Sequence, residues 1–194
     1  NVYLTELNEK DTIAKDSITL SYDLLKNDDP KIKDCIEEEP QYAFDVTLKG
    51  KINGTPYKLY QVHVKEGKAE RTEIKQEKIC TADSIQHFLF ASIMESKESV
   101  RIICNHQTKN DWKITIPSYQ CILMETYPAI KQTKEETIPL IAFTEGTPQI
   151  FEIAGRKLEG LDYCGLRDAK IHPSRWFEKF HIKDYVYFEI EFQQ

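Results

Sequence analysis

The residues with the most chemistry to offer in this chain are five histidines and five cysteines. Cys104-x-His106 sets two metal-ligand types side by side, but structural zinc takes four ligands and no second pair at zinc spacing lies nearby. The pair therefore reads as a core cysteine next to a loop histidine, and no metal or cofactor is expected. A cysteine nucleophile needs a neighbouring base, and spacing alone sets none of His63, His87, His172 or His181 beside Cys35, Cys80, Cys121 or Cys164. Glu189 and Glu191 alternate with Tyr185 and Tyr187 at the period of a strand, which assigns both carboxylates to a solvent face. The run Glu37-Glu38-Glu39 reads as a solvated loop. One segment differs from these. His172 to Phe180 crowds Trp176, Phe177 and Phe180 into a stretch where a polar loop is the rule. Arg175 and Trp176 stand together there, both of them types enriched at binding hot spots. The same i, i+4 spacing of Trp176 and Phe180 also fits a short helix packed on a sheet.

Composition narrows the classes. The chain has 194 residues, 40% hydrophobic and 30% charged, with a net charge of −6. At roughly 100–200 residues per domain this allows one large or two small domains, soluble and globular. No apolar run reaches the roughly 18 residues of a membrane span, so no membrane association is expected. The 26 basic residues are scattered among 32 acidic ones, so nucleic acid is not an expected partner. The odd, widely spaced cysteines argue for a reducing compartment, cytoplasmic or nuclear. A secreted protein with disulfides among four of the five is the alternative.

The elements follow from periodicity. Ile18–Leu25 and Tyr42–Lys49 alternate as strands, and Asn53-Gly54 supplies the positive φ of a tight hairpin turn. Tyr57–Val64 reads as the return strand, and residues 65–78 as a solvated loop or exposed hairpin. Ile85, Phe88, Leu89, Ser92 and Ile93 recur at helical spacing after capping residues at 81–84, which predicts a helix through Met94. Strands are predicted at 100–104 and 121–127, a polar loop at 105–113, and a charged linker at 131–136. Ile138–Phe143 and Gln149–Ile153 read as strands about Glu145-Gly146-Thr147-Pro148. Residues 155–169 read as a turn and short helix, and Tyr185–Phe192 as a closing strand with Val186, Phe188, Ile190 and Phe192 buried.

The same order of parts thus occurs twice, over 18–127 and again, shortened, over 138–194. Several motifs resemble the FKBP-type immunophilins: Phe151-Glu152-Ile153, Gly155, Leu158, Gly160-Leu161 and Phe188-Glu189-Ile190-Glu191 in the second stretch. In the first stretch the matches are Val46 to Gly50 with Asn53-Gly54 and Tyr57, then Met94 with Val100-Arg101-Ile102. The resemblance implies an α+β fold of antiparallel sheets with short helices on one face. It implies two units, 1–130 with a degenerate pocket and 137–194 reduced. Its pocket maps onto Leu48, Tyr57, Lys58 and His87, then onto Phe151, Leu158 and Leu161. Leu48 and Lys58 stand where catalytic members carry Tyr and Asp, and a lysine and an imidazole would wet a site that must be dry to favour a twisted amide. The implied role is therefore a non-catalytic protein-binding module, part of a scaffold or co-chaperone, with Arg175 and Trp176 as further binding residues. An active peptidyl-prolyl isomerase is the enzymatic alternative.

Overall fold

The structure, a computed structural model, describes residues 17–34, 36–81, 83–105, 109–115, 120–126 and 137–193. Two five-stranded antiparallel sheets stack face to face. Sheet I runs in the order β1 (Thr19–Leu24), β2 (Tyr42–Lys49), β5 (Ile85–Ser96), β6 (Ser99–Asn105), β7 (Lys109–Thr115). Sheet II runs β4 (Lys68–Lys78), β3 (Pro56–Lys65), β12 (Asp184–Phe192), β9 (Ile138–Thr144), β8 (Ile122–Glu125). A separate hairpin is formed by β10 (Thr147–Ile153) and β11 (Arg156–Asp162). The helices are short: α1 (Pro30–Lys33), α2 (Cys164–Asp168) and α3 (Trp176–Phe180), with a 3-10 turn at Pro173–Arg175. Antiparallel sheets with a few short helices are thus what the chain builds.

Alternation explains the strands that were easiest to predict. In β2, Phe44, Val46 and Leu48 face the space between the sheets, and in β12 Val186, Phe188, Ile190 and Phe192 do the same. Tyr57 meets Phe88 edge-on at 5.9 Å, and Phe90 meets Phe188 at 5.2 Å, so aromatic pairs join one sheet to the other. Such pairs add about 0.5–1.5 kcal/mol each beyond the area they bury.

The predicted helix over 85–94 is instead the central strand β5, paired with β2 and β6. Phe88 and Phe90 point into the sandwich, while Ala91 and Ile93 pack on the other side with Ile32 of α1. A strand buried on both faces loses its polar-apolar alternation, and its apolar run then mimics helical spacing. Asn53-Gly54 does not close a hairpin either. β2 and β3 belong to different sheets, and residues 50–55 turn the corner between them around the buried side chain of Ile52. Residues 65–78 do form the exposed hairpin with β3, turning at Glu66-Gly67. β7 begins within the predicted polar loop and runs two residues past it, and residues 156–162 are strand rather than helix. The predicted linker 131–136 lies outside the described residues.

The helices do not share one face. α1 covers the outer face of sheet I, and α2 and α3 cover that of sheet II. The boundary between residues 1–130 and 137–194 does not separate two cores either. β12 lies between β3 and β9, matched to β3 over nine residues, and one apolar cluster joins residues of both stretches.

The outer side of β12 is likewise not a solvent face. Tyr185 and Tyr187 lie under the segment 163–182, and the Tyr185 hydroxyl donates to the Pro173 carbonyl at 2.6 Å. Burial pushes that phenol up to about 12. His172 opens the 3-10 turn, its Nδ1 accepting the Ser174 N–H at 3.2 Å, and it stands edge-on to the Tyr187 ring at 5.9 Å. Burial lowers its pKa. An unfolded histidine titrates near pH ~6.5. As pH falls below that value the unfolded chain takes up a proton that the folded one resists, so stability present above it is lost. Melting temperature is expected to drop between pH 7 and pH 5.5, and to drop less in His172→Asn, whose amide oxygen can still cap the turn. Equal slopes in the two proteins would remove His172 from the account.

Candidate functional site

The residues proposed from sequence scatter over the sandwich instead of lining one pocket. Leu48 and Tyr57 are buried between the sheets. Lys58 lies on the outer side of sheet II, 2.8 Å from Glu73, and His87 lies on the outer side of sheet I. Strand period places neighbours such as Tyr57 and Lys58 on opposite faces, so these four cannot form a cavity together. His87 Nδ1 is 3.1 Å from both Asp45 Oδ1 and Thr47 Oγ1, and Lys31 holds the other Asp45 oxygen. That arrangement anchors α1 to sheet I.

Trp176 is also core. Its side chain is 0% exposed, its indole N–H donates to the Ile171 carbonyl at 2.9 Å, and its ring stacks obliquely on Tyr185 at 5.6 Å. Arg175 is exposed and reaches Glu178. Glu189 is buried and Glu191 half-buried, and Arg71 binds both at 2.6 and 2.8 Å while lying over the Tyr60 ring at 3.3 Å. Burial holds the Glu189 carboxyl above the ordinary range. Cys80, Cys104, Cys121 and Cys164 are thiols outside any disulfide among the described residues, and burial pushes the Cys104 thiol upward. Cys35 and His106 lie outside the described residues. Among the described residues no group of three or more His, Cys, Asp or Glu is placed to hold a metal ion, and no helix is long and apolar enough to cross a membrane.

The remaining three predicted residues, Phe151, Leu158 and Leu161, fall together on the β10–β11 hairpin. This arm joins neither five-stranded sheet. The predicted pairing of β9 with β10 is absent, because β9 pairs with β8 and β12 while β10 pairs with β11. The arm turns at Ala154-Gly155, both at positive φ (52° and 74°), as a two-residue hairpin turn requires. Phe151 lies directly across from Leu158, and Ile153 shares their face. Ile150 projects from the opposite face. Exposure is 69% for Ile150, 38% for Phe151, 60% for Ile153 and 49% for Leu158, so four of the six large exposed hydrophobic residues of the described chain sit on this arm. An isolated two-stranded hairpin is marginal in water, and these side chains find no cover among the described residues.

Asp162 fixes the arm's base. Its Oδ2 accepts from Gln149 Nε2 at 3.0 Å, its Oδ1 accepts from the Gly165 N–H at 3.0 Å, and its carbonyl accepts from the Thr147 hydroxyl at 3.1 Å. Gly146 presses so close to the Asp162 backbone that a Cβ there would stand 3.0 Å from its carbonyl atoms.

Between the arm's base and the sandwich lies a groove of about 670 Å³. Pro148 and Leu161 face it from the arm, and Tyr42, Ile122 and Tyr163 from the body. A second groove, about 290 Å³, adjoins it through Tyr42, Ile122 and Tyr163, and continues along β8 to Arg167. Here Leu24 and Phe44, carried on β1 and β2, come to the open corner of the sandwich. Tyr163 fixes the junction by donating its hydroxyl to the Gln120 carbonyl, and burial raises its pKa. Only Leu161 among these groove residues was signalled by sequence. The others arrive from five separate stretches, and no local pattern marks them. No protein-family model, no curated protein and no solved structure matches the chain.

Proposed function

We propose that this chain is a non-catalytic protein-interaction module that binds through the β10–β11 arm. The observation that carries this reading is the exposure of Ile150, Phe151, Ile153 and Leu158 on a hairpin outside both sheets. Exposed large apolar residues gathered in one place mark protein contact surfaces. The Asp162 contacts hold the arm's base in shape, so less ordering cost falls on binding. The reading keeps the scaffold or co-chaperone role that the immunophilin resemblance implies, with a protein as partner rather than nucleic acid. It drops the prolyl pocket, because Leu48 and Tyr57 are core and Lys58 and His87 lie on opposite outer faces. A reducing, cytoplasmic or nuclear setting goes with this reading, on the odd number and wide spacing of the cysteines.

The test is a photo-reactive phenylalanine analogue at position 151, compared with the same group at Tyr60 on the body. In native extract, position 151 is expected to yield a discrete crosslinked protein that position 60 does not. Equal products from both positions, or none from 151, would overturn the reading.

A further inference from the structure

We infer that the groove along β8 takes an extended peptide segment, apolar at alternate positions and basic at one end, as an added strand of sheet II. This deepens the interaction role proposed above and rests on it, naming what the body binds beside the arm.

Among the described residues β8 is an edge strand, paired on one side with β9. The main-chain groups of its other side are a template for a further strand. The edge at the opposite end of the sheet is guarded. β4 is Lys68–Lys78, with lysine, arginine or glutamate at seven of its eleven positions, a composition that discourages pairing. β8 reads Ile-Leu-Met-Glu and has no such guard until its last residue. Both grooves run beside it, the larger meeting it at Ile122 and the smaller following it from Ile122 to Glu125. A strand laid there sends every second side chain toward Leu24 and Phe44 in the open corner, which fits apolar residues at alternate positions. At about 3.3 Å per residue, six residues cover about 20 Å, enough to pass from the smaller groove into the larger.

Charge sets the direction of preference. In the smaller groove Glu125 and Arg167 are paired at 3.4 Å, and Arg167 also meets Asp168 at 3.0 Å. In the larger groove Glu159 alone among the lining residues is charged. Among the lining residues Glu125 and Arg167 cancel, Asp168 lying outside the lining, and Glu159 remains, so a lysine or arginine of the incoming segment is matched at the arm's end of the path.

The experiment selects a random library of linear twelve-residue phage-displayed peptides against the full chain, then measures a synthetic peptide of the enriched sequence. Enriched peptides are expected to alternate apolar residues beside a Lys or Arg. Binding the synthetic peptide should slow amide exchange in β8 at least tenfold. Glu159→Lys and Leu24→Ser, both at exposed positions, should weaken the peptide at least tenfold while melting temperature stays within 2 °C of the parent, a window of under about 1 kcal/mol for a chain this size. Phe151→Ser/Ile153→Ser/Leu158→Ser, on the arm's outward face, should leave it unchanged. No enrichment, protection outside β8, or affinity indifferent to Glu159 and Leu24 would overturn the inference. None of these outcomes touches the crosslink at position 151, so failure here and failure of the arm reading remain distinguishable.

Discussion

Trp176→Ala is expected to cost about 3–5 kcal/mol of folding stability, the range for deleting a large buried aromatic side chain. The indole fills the middle of the cluster between sheet II and the 163–182 segment, touching Tyr185 and satisfying the Ile171 carbonyl. Truncation leaves a void, an unpaired carbonyl and a partly uncovered β12 at once. At about 2–4 °C per kcal/mol for a chain of this size, the melting temperature should fall by about 6–20 °C. Arg175→Ala, one residue away and exposed, should stay within about 0.5 kcal/mol. Urea unfolding of both variants checks the contrast. Comparable small effects would return the Arg175-Trp176 pair to the surface role its composition suggests.

The second large effect concerns the arm. Asp162→Ala removes the carboxylate that ties Gln149 to the Gly165 N–H, leaving a two-stranded hairpin near the limit of independent stability. Amide exchange across residues 147–162 should quicken at least tenfold, while β2, β5 and β12 exchange as before. Asp162→Asn, which keeps an acceptor oxygen, should recover part of the protection. Exchange that quickens evenly throughout the sandwich would mean that the arm is not a separate opening unit.

Sequence disclosed those elements whose inward apolar residues alternate with small or polar ones, whatever covers the other face. β2 was legible because Phe44, Val46 and Leu48 are core while their neighbours alternate with them, and the inner face of β12 was legible for the same reason. β5 was not, because burial on both faces left Phe88, Leu89 and Ile93 at a spacing shared by helix and strand. Tyr185 and Tyr187 passed for a solvent face because the cover over them, anchored by Trp176, is a tertiary contact that no strand period reports. The Asn53-Gly54 turn was recognised for its φ but assigned the wrong partner strands, since a sandwich corner and a hairpin use the same residue type there.

The candidate site divides along the same line. Phe151, Leu158 and Leu161 were marked by the immunophilin resemblance, and they share one arm because their span turns on itself at Ala154-Gly155. Tyr42, Ile122 and Tyr163 were not, since they meet only after β2, β8 and the start of α2 are placed. The two groups define the proposed surface together: an outward apolar arm, and a groove at its base beside an unguarded sheet edge.

The most direct test of the arm's role is an equilibrium titration of the protein crosslinked at position 151 against the parent chain and the Phe151→Ser/Ile153→Ser/Leu158→Ser variant. The account predicts binding at least tenfold weaker in the variant, with a melting temperature within 2 °C of the parent, because side chains already exposed contribute little to folding. Equal affinity in the two proteins, with the fold of both intact, would contradict it.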